Sequence, residues 1–322
     1  MDTRFLVGSD AVDFVTNSAR PIVEDGVVTN SFLSLEEWSK LDKKIIQAAE
    51  RSLGAWADVM NDGLTEHTSL AEEFSKWRVS SEVTDADVTM DFRTRIGQDK
   101  VDMKTYGVPI PIISKGYSFG RREVLVARAS GADLQTVNAE EAARAVSEGV
   151  ESLLVNGNTN IVVQGMSIPG YTSLAARDQD TAAGYGGGDF GTFSDIYPTF
   201  TGMMSKLAAK DYYGPFRCYV ANTQYYEMLA LNSETERSAL ANVLDLPEIE
   251  SVRPNALLAD GSLVMVQMTS NVVNARIALD LENRQWEAPD GSALFYSVMM
   301  AAAPRLVTDY NGNTGIAHAT SC

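Results

Sequence analysis

The segment from residue 78 to residue 113 places the strongest constraint on the fold, because it is extended and polar and has no obvious partner. Apolar and polar residues alternate roughly along its first part, which is typical of exposed strands, and Gly97-Gln98-Asp99 can form a turn between two of them. The prolines of Val108-Pro-Ile-Pro-Ile-Ile113 then keep the residues before them out of the helical conformation. A polar hairpin of about 25 residues has no obvious way to bury a face within one compact subunit. We therefore expect this ribbon to lie on another chain.

The same region carries an unusual charge. The whole chain has 26 Lys and Arg against 43 Asp and Glu, a net charge of −17, which argues against tight direct binding to phosphate backbones. Residues 93–128 nevertheless hold 8 basic and 3 acidic side chains, and the 8 basic ones are Arg93, Arg95, Lys100, Lys104, Lys115, Arg121, Arg122 and Arg128. This basic segment can pair with acidic surfaces within the fold or on a neighbouring copy.

Acidic side chains cluster just before the basic segment, at Glu82, Asp85, Asp87 and Asp91. They could in principle hold a cation, but the run lacks the glycine and the terminal glutamate of a calcium-binding loop. A solvated face or a partner for the basic segment explains them better. The predicted subunit-contact residues are Arg93, Arg95, Lys100, Lys104, Arg121, Arg122, Glu82, Asp85, Asp87 and Asp91.

Two helices are indicated by capping signals and by apolar residues at helical spacing. Ser34-Leu35-Glu36-Glu37 matches a capping box, and the first helix continues from there until Asn61-Asp62-Gly63 forms a turn. The second helix is predicted over residues 138–156, with Asn138 as its N-cap and Asn156-Gly157 as its left-handed end. The stripe that it should bury consists of Ala139, Ala142, Ala143, Val146, Val150, Leu153 and Leu154.

Helical and extended patterns alternate in the rest of the chain. Helices are predicted near residues 195–209 and 223–231, and strands at residues 217–220, 263–268, 275–281 and 294–307. No internal repeat is found. The fold class is therefore α+β, built from discontinuous pieces.

Residues suited to catalysis or metal binding are scarce. His67 and His318 have no metal-binding spacing, and His318 is expected in a fraying tail. Cys218 and Cys322 cannot form a four-thiolate site, and Cys218 is expected in the core because its strand is apolar. The run Gly184-Tyr-Gly-Gly-Gly188 lacks the Lys and Ser/Thr of a phosphate-binding loop and predicts a flexible loop. We therefore predict no catalytic residue, no metal site and no cofactor.

Targeting segments are not apparent. No apolar run approaches the ~18 residues of a membrane-spanning helix. The first residues carry Asp2, Asp10 and Asp13 and lack the apolar core of a secretory signal. We expect a soluble protein of a reducing cytoplasm, with no membrane partner.

A series of motifs runs from Val108 to Gly157. The Pro-Ile-Pro-Ile strand leads into Tyr117-Ser-Phe-Gly-Arg-Arg-Glu123, then a turn at Ala129-Ser-Gly-Ala-Asp-Leu134, then the helix ending in Glu151-Ser-Leu-Leu-Val-Asn-Gly157. This order resembles the major capsid proteins of tailed bacteriophages with the Hong Kong phage-type fold, and their relatives the encapsulins. In encapsulins a strand, an Arg-x-Glu step and a glycine turn precede a spine helix that ends on an acidic residue. Gly165-Met-Ser-Ile-Pro-Gly170 is similar to the glycine loop that follows that helix.

The resemblance implies an α+β Hong Kong phage-type capsid fold with an arm, an extended loop and two domains. The arm and the extended loop would reach over neighbouring subunits, and the axial domain would meet its copies around the five- and six-fold axes. The implied parts are an N-terminal arm at residues 1–33, an N-terminal helical segment at 34–78, an extended loop and return strand at 79–122, a peripheral domain with a long spine helix at 123–194 and 284–322, and an axial domain at 195–283.

The implied function is that of a major capsid protein, a structural protein rather than an enzyme. Its copies would self-assemble as pentamers and hexamers into an icosahedral shell that confines double-stranded DNA without sequence-specific binding. Further partners would be portal, scaffolding or decoration proteins. The location would be the virion, after assembly in the bacterial host cytoplasm. Two alternatives stay open: an encapsulin shell around a cargo enzyme, and a cytoplasmic hydrolase or metal-dependent enzyme that uses Asp85 and Asp87.

Overall fold

A computed structural model of the 322-residue chain describes residues 22–24, 27–29, 54–83, 100–120, 135–231, 236–287 and 293–322, together with Arg122, Val126 and Ala129. The chain separates into two compact units. The first comprises Met1–Gly54, Pro111–Val150 and Ala278–Ala302, and the second comprises Ala55–Ile110, Glu151–Ile277 and Ala303–Cys322. Among the described helices, none combines the length and the apolar character needed to cross a membrane.

The described elements mix helices and strands, as the sequence predicts. The helices are α1 (Ala55–Asn61), α2 (Gln135–Val155), α3 (Phe193–Ala208), α4 (Asn222–Met228) and α5 (Ala239–Leu244). The strands are β1 (Ile22–Glu24), β2 (Val27–Thr29), β3 (Thr65–His67), β4 (Phe74–Ser80), β5 (Met103–Pro109), β6 (Ile112–Gly120), β7 (Gly157–Val163), β8 (Met166–Pro169), β9 (Asp178–Thr181), β10 (Phe216–Val220), β11 (Ile249–Pro254), β12 (Leu263–Gln267), β13 (Val273–Glu287), β14 (Ala293–Leu306) and β15 (Ile316–Thr320). This composition is α+β.

The core of the second unit is a five-stranded mixed sheet in the order β11-β10-β12-β15-β9. The β10 strand is parallel to β11 and antiparallel to β12, and every residue of β10 is buried. The α3 helix packs Ile196, Phe200, Met203 and Leu207 into the same core, at the three- and four-residue intervals that put side chains on one helix face. Cys218 is fully buried in β10, which confirms the predicted core position.

The extended ribbon predicted from the sequence is present as the β4–β5 pair. The two strands are antiparallel from Phe74↔Pro109 to Ser80↔Met103, without a register shift, and form a sheet of their own. The ribbon begins at Phe74, five residues before the predicted boundary at 79. The Gly97-Gln98-Asp99 turn lies outside the described residues.

In the first unit, β6 and β14 form a long antiparallel ladder from Ala293↔Gly120 to Ala301↔Ile112. The rings of the paired Tyr117 and Tyr296 stack, with centroids 5.0 Å apart. Cross-strand aromatic pairs of this kind stabilise a sheet beyond the area that they bury. The sheet that contains these strands has the order β3-β13-β14-β6.

The α2 helix corresponds to the second predicted helix. The seven residues of the predicted stripe are buried, and Gly157, with φ of 71°, ends the helix in the left-handed conformation, as predicted. The N-cap prediction is wrong, because Gln135 is already helical and Asn138 is an exposed residue inside the helix. No proline or glycine in residues 135–137 stops the helix from extending past Asn138.

The first predicted helix is wrong at its described end, because Gly54 is a bend and α1 begins only at Ala55. The α1 helix ends at Asn61, and Gly63 follows with φ of 68°, so the predicted turn is confirmed. Residues 34–53 of that prediction lie outside the described part of the chain.

The C-terminal segment differs from its prediction. His318 lies in β15, between β12 and β9, and is buried, so the expectation of a fraying tail is wrong. The sequence of Ile316–Thr320 gives a weak strand signal, because small alanines stand on both sides of the histidine. The predicted boundaries assigned β9 and β15 to the peripheral domain, whereas their hydrogen bonds place them in one sheet with β10 and β12.

The glycine-rich run at residues 184–188 is a packed turn. Ala183–Tyr185 form one turn of 3-10 helix, and Gly186 follows with φ of 92°. A Cβ on Gly187 would overlap the backbone of α3 at Asp195, so a glycine is needed where the chain passes this helix.

Candidate subunit-contact surfaces

One face of the β4–β5 ribbon packs on the rest of the second unit, so the expectation that the ribbon has no face to bury within its own subunit is wrong for the described part. Ser75 and Val108 lie opposite each other and are buried, and the Trp77 and Tyr106 rings stack at 6.3 Å. The Arg305 guanidinium lies 5.0 Å from the centre of the Trp77 ring. These aromatic and cation–π contacts fix the inner face of the ribbon. A second chain can therefore reach the ribbon through its outer face and its edges.

The outer face of the ribbon is exposed and basic. Lys76 and Arg78 alternate with the inner-face residues along β4, and Met103 at the start of β5 is 65% exposed. Such alternation is what an antiparallel pair with one solvated face produces. At the end of the ribbon where β4 begins, the Phe74 ring covers Gly107 and leaves no room for a Cβ at that position.

Four of the ten predicted contact residues lie in the described part of the chain, and all four are exposed. Lys100 and Lys104 lie on the β5 side and Glu82 just beyond β4, whereas Arg122 follows β6. Lys104 reaches Tyr310 of the same chain, where its Nζ donates to the carbonyl oxygen at 2.8 Å. The other six, Arg93, Arg95, Arg121, Asp85, Asp87 and Asp91, lie outside the described residues. Their role in subunit contacts stays a prediction.

An open cleft of about 660 Å³ runs beside β4. Residues 77–80 and Glu82 form one wall, and residues 209–212 and 307–309 contribute to the opposite side. The lining carries charges of both signs, with Arg78 and Lys210 among the cations and Glu82 and Asp309 among the anions. A wide polar cleft differs from the enclosed, mostly apolar pockets that bind small ligands.

An arginine network links α1 to the five-stranded sheet. The buried Arg217 on β10 forms ion pairs with three carboxylates: Asp58 at 3.2 Å, Asp62 at 2.7 Å and Glu250 at 3.0 Å. Sequence reasoning missed this network because its members come from segments far apart in the chain. The one available signal was a charged residue in an otherwise apolar strand.

Asp58 is the most deeply buried carboxylate of that network. Arg253 lies 2.6 Å from it, and the Tyr219 hydroxyl donates to it at 3.0 Å. Burial raises the pKa of Asp58, while the Tyr219 hydrogen bond and the charges of Arg253 and Arg217 offset part of that rise. The buried charge of Asp58 is only partly compensated, so it stabilises the folded state only while Arg217, Arg253 and Tyr219 stay in contact with it.

Glu151 anchors the start of α1. Its side chain accepts hydrogen bonds from the backbone N–H groups of Ala55 at 2.7 Å and Trp56 at 2.9 Å, and from the Asn255 side chain at 3.0 Å. Free N–H groups and the helix dipole make a helix N-terminus favourable for a carboxylate. The acidic residue near the end of the predicted spine helix thus has a structural role within the second unit.

A separate group of exposed apolar residues lies in the last turn of α4 and just after it. Tyr226 and Leu231 are each 71% exposed, and Leu229 lies between them in the sequence. Exposed apolar side chains of this size are a feature of protein-contact surfaces.

Metal-binding constellations are not found in the described residues, where no three His, Cys, Asp or Glu side chains are grouped suitably. His318 accepts a hydrogen bond from Arg177 at 3.3 Å, whereas His67 is exposed on β3.

Residues 27–319 match a protein family that is described as a family of unknown function, DUF6260. The chain belongs to that family. No curated protein matches it.

Solved structures similar to this DUF6260 member include phage capsids and a virus-like particle. The capsid of Myoviridae phage XM1 has a TM-score of 0.61 at 14% identity, covering 82% of this chain and 92% of that one. The virus-like particle from Pyrococcus furiosus has a TM-score of 0.58 at 13% identity, covering 88% and 100%. The capsid of Ralstonia phage GP4 has a TM-score of 0.55 at 9% identity, covering 82% and 89%.

At these identities the likeness establishes the fold. This DUF6260 member has the Hong Kong phage-type capsid fold, as the resemblance in the sequence implied. The structures that share it are shell proteins rather than enzymes, in keeping with the predicted structural role.

Proposed function

We propose that this protein is a major capsid protein whose copies assemble into a closed icosahedral shell around double-stranded DNA. The observation that carries the proposal is the fold similarity to the phage XM1 capsid, which extends over 82% of this chain. The exposed, basic outer face of the β4–β5 ribbon adds a surface available to neighbours.

The mechanism is quaternary. Each contact between copies is weak, but the contacts repeat over a closed symmetric lattice, so that their free energies add. In this proposal residues 1–33 act as an arm and residues 79–122 as an extended loop over neighbouring subunits. Residues 123–194 and 284–322 provide the peripheral domain, except that β9 and β15 join the sheet of residues 195–283, which provide the axial domain.

Partners follow from the same proposal. The chain associates with itself as pentamers and hexamers, and with portal, scaffolding or decoration proteins where the shell needs them. With a net charge of −17, the shell confines DNA without gripping each phosphate. In this proposal the protein assembles in the bacterial cytoplasm and becomes part of the virion.

The second candidate is a shell that encloses a cargo enzyme. It is favoured by the virus-like particle from Pyrococcus furiosus, the whole of whose chain is covered by the match. Both candidates predict closed particles, and they differ in what the particles contain.

The contents of purified particles therefore decide between the two candidates. Particles from cells that express the native gene neighbourhood are treated with nuclease, and the protected nucleic acid and co-purifying proteins are identified. Protected double-stranded DNA of uniform length supports the capsid proposal. Particles that lack DNA and hold one stoichiometric enzyme contradict it and support the second candidate. Sedimentation as a monomer at every concentration contradicts both.

A further inference from the structure

Arg305 on β14 is a cation in the wall of the cleft beside β4. Its guanidinium lies against the Trp77 ring, 5.0 Å from the ring centre, and 19% of its side chain is exposed. Both residues, and the others that line the cleft, belong to the second unit. The fold of one unit therefore holds this charge where a group that enters the cleft can reach it.

The charge of Arg305 is only partly neutralised within the subunit. Among the described residues, Glu66 is the carboxylate within ion-pair distance of it, at 3.6 Å, and Arg276 lies closer to that same carboxylate, at 2.7 Å. The Nε atoms of both arginines are buried and lack a hydrogen-bond partner in the described part of the chain. Two guanidinium groups thus share one carboxylate.

The surroundings of Arg305 disfavour its charge. Burial, followed by the charge of Arg276, lowers the pKa of Arg305, and Glu66 offsets only part of that effect. A half-buried charge without a full partner costs stability, and an added anion recovers that cost. The cluster is therefore favourable for a second carboxylate.

Three cations line the cleft, and they differ in what they have left to offer. Lys210 is already paired with Asp178 at 2.7 Å. Arg78 is exposed and follows Trp77 along β4, so it lies at the same end of the cleft as Arg305. An anion is therefore attracted to the Trp77 end.

The other end of the cleft is acidic. Glu82 lies beyond the end of β4, and its charge acts with that of Asp309 on the ring of Tyr212. Burial and these two charges raise the pKa of Tyr212 to about 12. A carboxylate is repelled from this end, so the charges of the cleft also set the direction in which a ligand binds.

A carboxylate carried by a protein chain fits these features. The cleft is open and has a volume of about 660 Å³, which admits a segment of chain rather than enclosing a single ion. Its walls include Ser270, Asn271 and Thr308, whose hydroxyl and amide groups can bind a main chain. With 43 Asp and Glu against 26 Lys and Arg, a second copy presents carboxylates more often than cations.

We propose that the cleft beside β4 accepts an acidic side chain of a second copy, whose carboxylate pairs with Arg305. This inference rests on the proposed self-assembly and specifies one of its contacts. The planar guanidinium suits a carboxylate, which provides the second anion that Arg276 and Arg305 lack. The acidic end of the cleft excludes the reverse orientation.

Zero-length cross-linking with a carbodiimide tests whether a second copy provides the carboxylate. The Arg305→Lys variant keeps the cation and supplies an amine that the reagent joins to a carboxylate in contact with it. Particles are assembled from equal amounts of unlabelled and ¹⁵N-labelled subunits, so that a link between copies gives peptides of mixed label. We expect mixed-label peptides that join position 305 to an Asp or Glu in particles, and none in dissociated subunits.

Arg276→Lys is the matched control, because Arg276 pairs with the same Glu66 but is not part of the cleft wall. This variant should link only to Glu66 of its own chain. Particles in which position 305 also links only to Glu66 of its own chain, or to a different protein, would overturn the inference while leaving the proposed shell intact. Wild-type protein that never assembles would overturn the proposed function as well.

The concentration at which half of the subunits assemble tests the charge of Arg305. Arg305→Gln should raise this concentration at least about tenfold, because every copy loses the contact. Glu66→Gln, which removes the competing carboxylate, should not raise it. A purely structural role of the Glu66–Arg305 pair predicts that both substitutions weaken assembly equally. That result, or unchanged assembly of Arg305→Gln, overturns the inference, and circular dichroism of the dissociated subunits confirms that both variants fold.

Discussion

Lys104 contacts Tyr310 in two ways: its Nζ donates to the Tyr310 carbonyl oxygen at 2.8 Å and lies 4.0 Å from the centre of the Tyr310 ring. Tyr310 belongs to the tight turn in which Asp309 accepts from the Asn313 backbone at 2.6 Å. The basic segment of the sequence is thus fixed, at this residue, to the subunit that carries it. The contact lies on the inner side of the ribbon, opposite the face with Lys76 and Arg78.

Lys104→Met should loosen the attachment of the ribbon. Loss of one exposed cation–π contact and one charge-assisted hydrogen bond should lower the free energy of unfolding by about 1 kcal/mol. Urea unfolding of dissociated subunits measures this change. Lys115→Met, which removes an exposed lysine of β6, is the matched control. An equal effect of the two substitutions would show that the Tyr310 contact contributes nothing.

Glu151→Ala should be among the most destabilising single substitutions in the second unit. Glu151 is 3% exposed, and its removal leaves the Ala55 and Trp56 N–H groups and the Asn255 amide without their acceptor. We expect a loss of about 3–5 kcal/mol, and a smaller loss for Glu151→Gln, which keeps one acceptor oxygen. Chemical denaturation of both variants measures the difference. A Gln variant as unstable as the Ala variant would contradict the capping role.

Gly202→Ala should destabilise the protein although alanine favours helices. Gly202 lies in α3, and a Cβ there would overlap the Tyr185 carbonyl oxygen, a backbone atom that cannot rotate away. The steric cost should exceed the gain in helix propensity of about 1 kcal/mol.

Gly149→Ala in α2 is the matched control for Gly202→Ala. Its Cβ would meet the Ile113 Cγ2 atom at 3.1 Å, and a side chain can shift by the few tenths of an ångström required. Thermal unfolding should therefore show a clear loss for Gly202→Ala and little change for Gly149→Ala. A stabilised Gly202→Ala protein would disprove the close approach.

Stability should fall in mild acid because of His318. Burial, followed by the charge of Arg177, lowers the pKa of His318 to about 4, against an ordinary value of 6.5. The unfolded chain therefore binds a proton below pH 6.5 that the folded chain does not bind until about pH 4. His318 stabilises the folded state fully above pH 6.5, and this contribution is lost progressively as the pH falls toward 4.

The stabilisation that His318 provides can be measured as a difference in unfolding free energy between wild type and His318→Gln. Between pH 7.5 and pH 5, wild type should lose about 2 kcal/mol more of its unfolding free energy than His318→Gln does. Urea unfolding at the two pH values gives this difference, and His67→Gln, at the other histidine, is the matched control. Parallel losses in wild type and His318→Gln would refute the role of the buried histidine.

The sequence carried those parts of the fold that leave a local pattern. The α2 stripe from Ala139 to Leu154 has helical spacing over more than four turns, and the ribbon combines alternation with the prolines at 109 and 111. The ribbon start at Phe74 was missed because bulky Phe74 and Trp77 do not alternate with polar residues in the simple way that later residues do.

Long-range contacts left no such pattern. Arg217 and Asp58 are 159 positions apart, and nothing near either residue indicates its partner.

Electron micrographs of the purified, negatively stained protein test the central claim most directly. The account predicts closed, hollow particles of uniform diameter, built from clusters with five- and six-fold symmetry. A field of single subunits at every concentration, with and without the proteins encoded beside the gene, would contradict it.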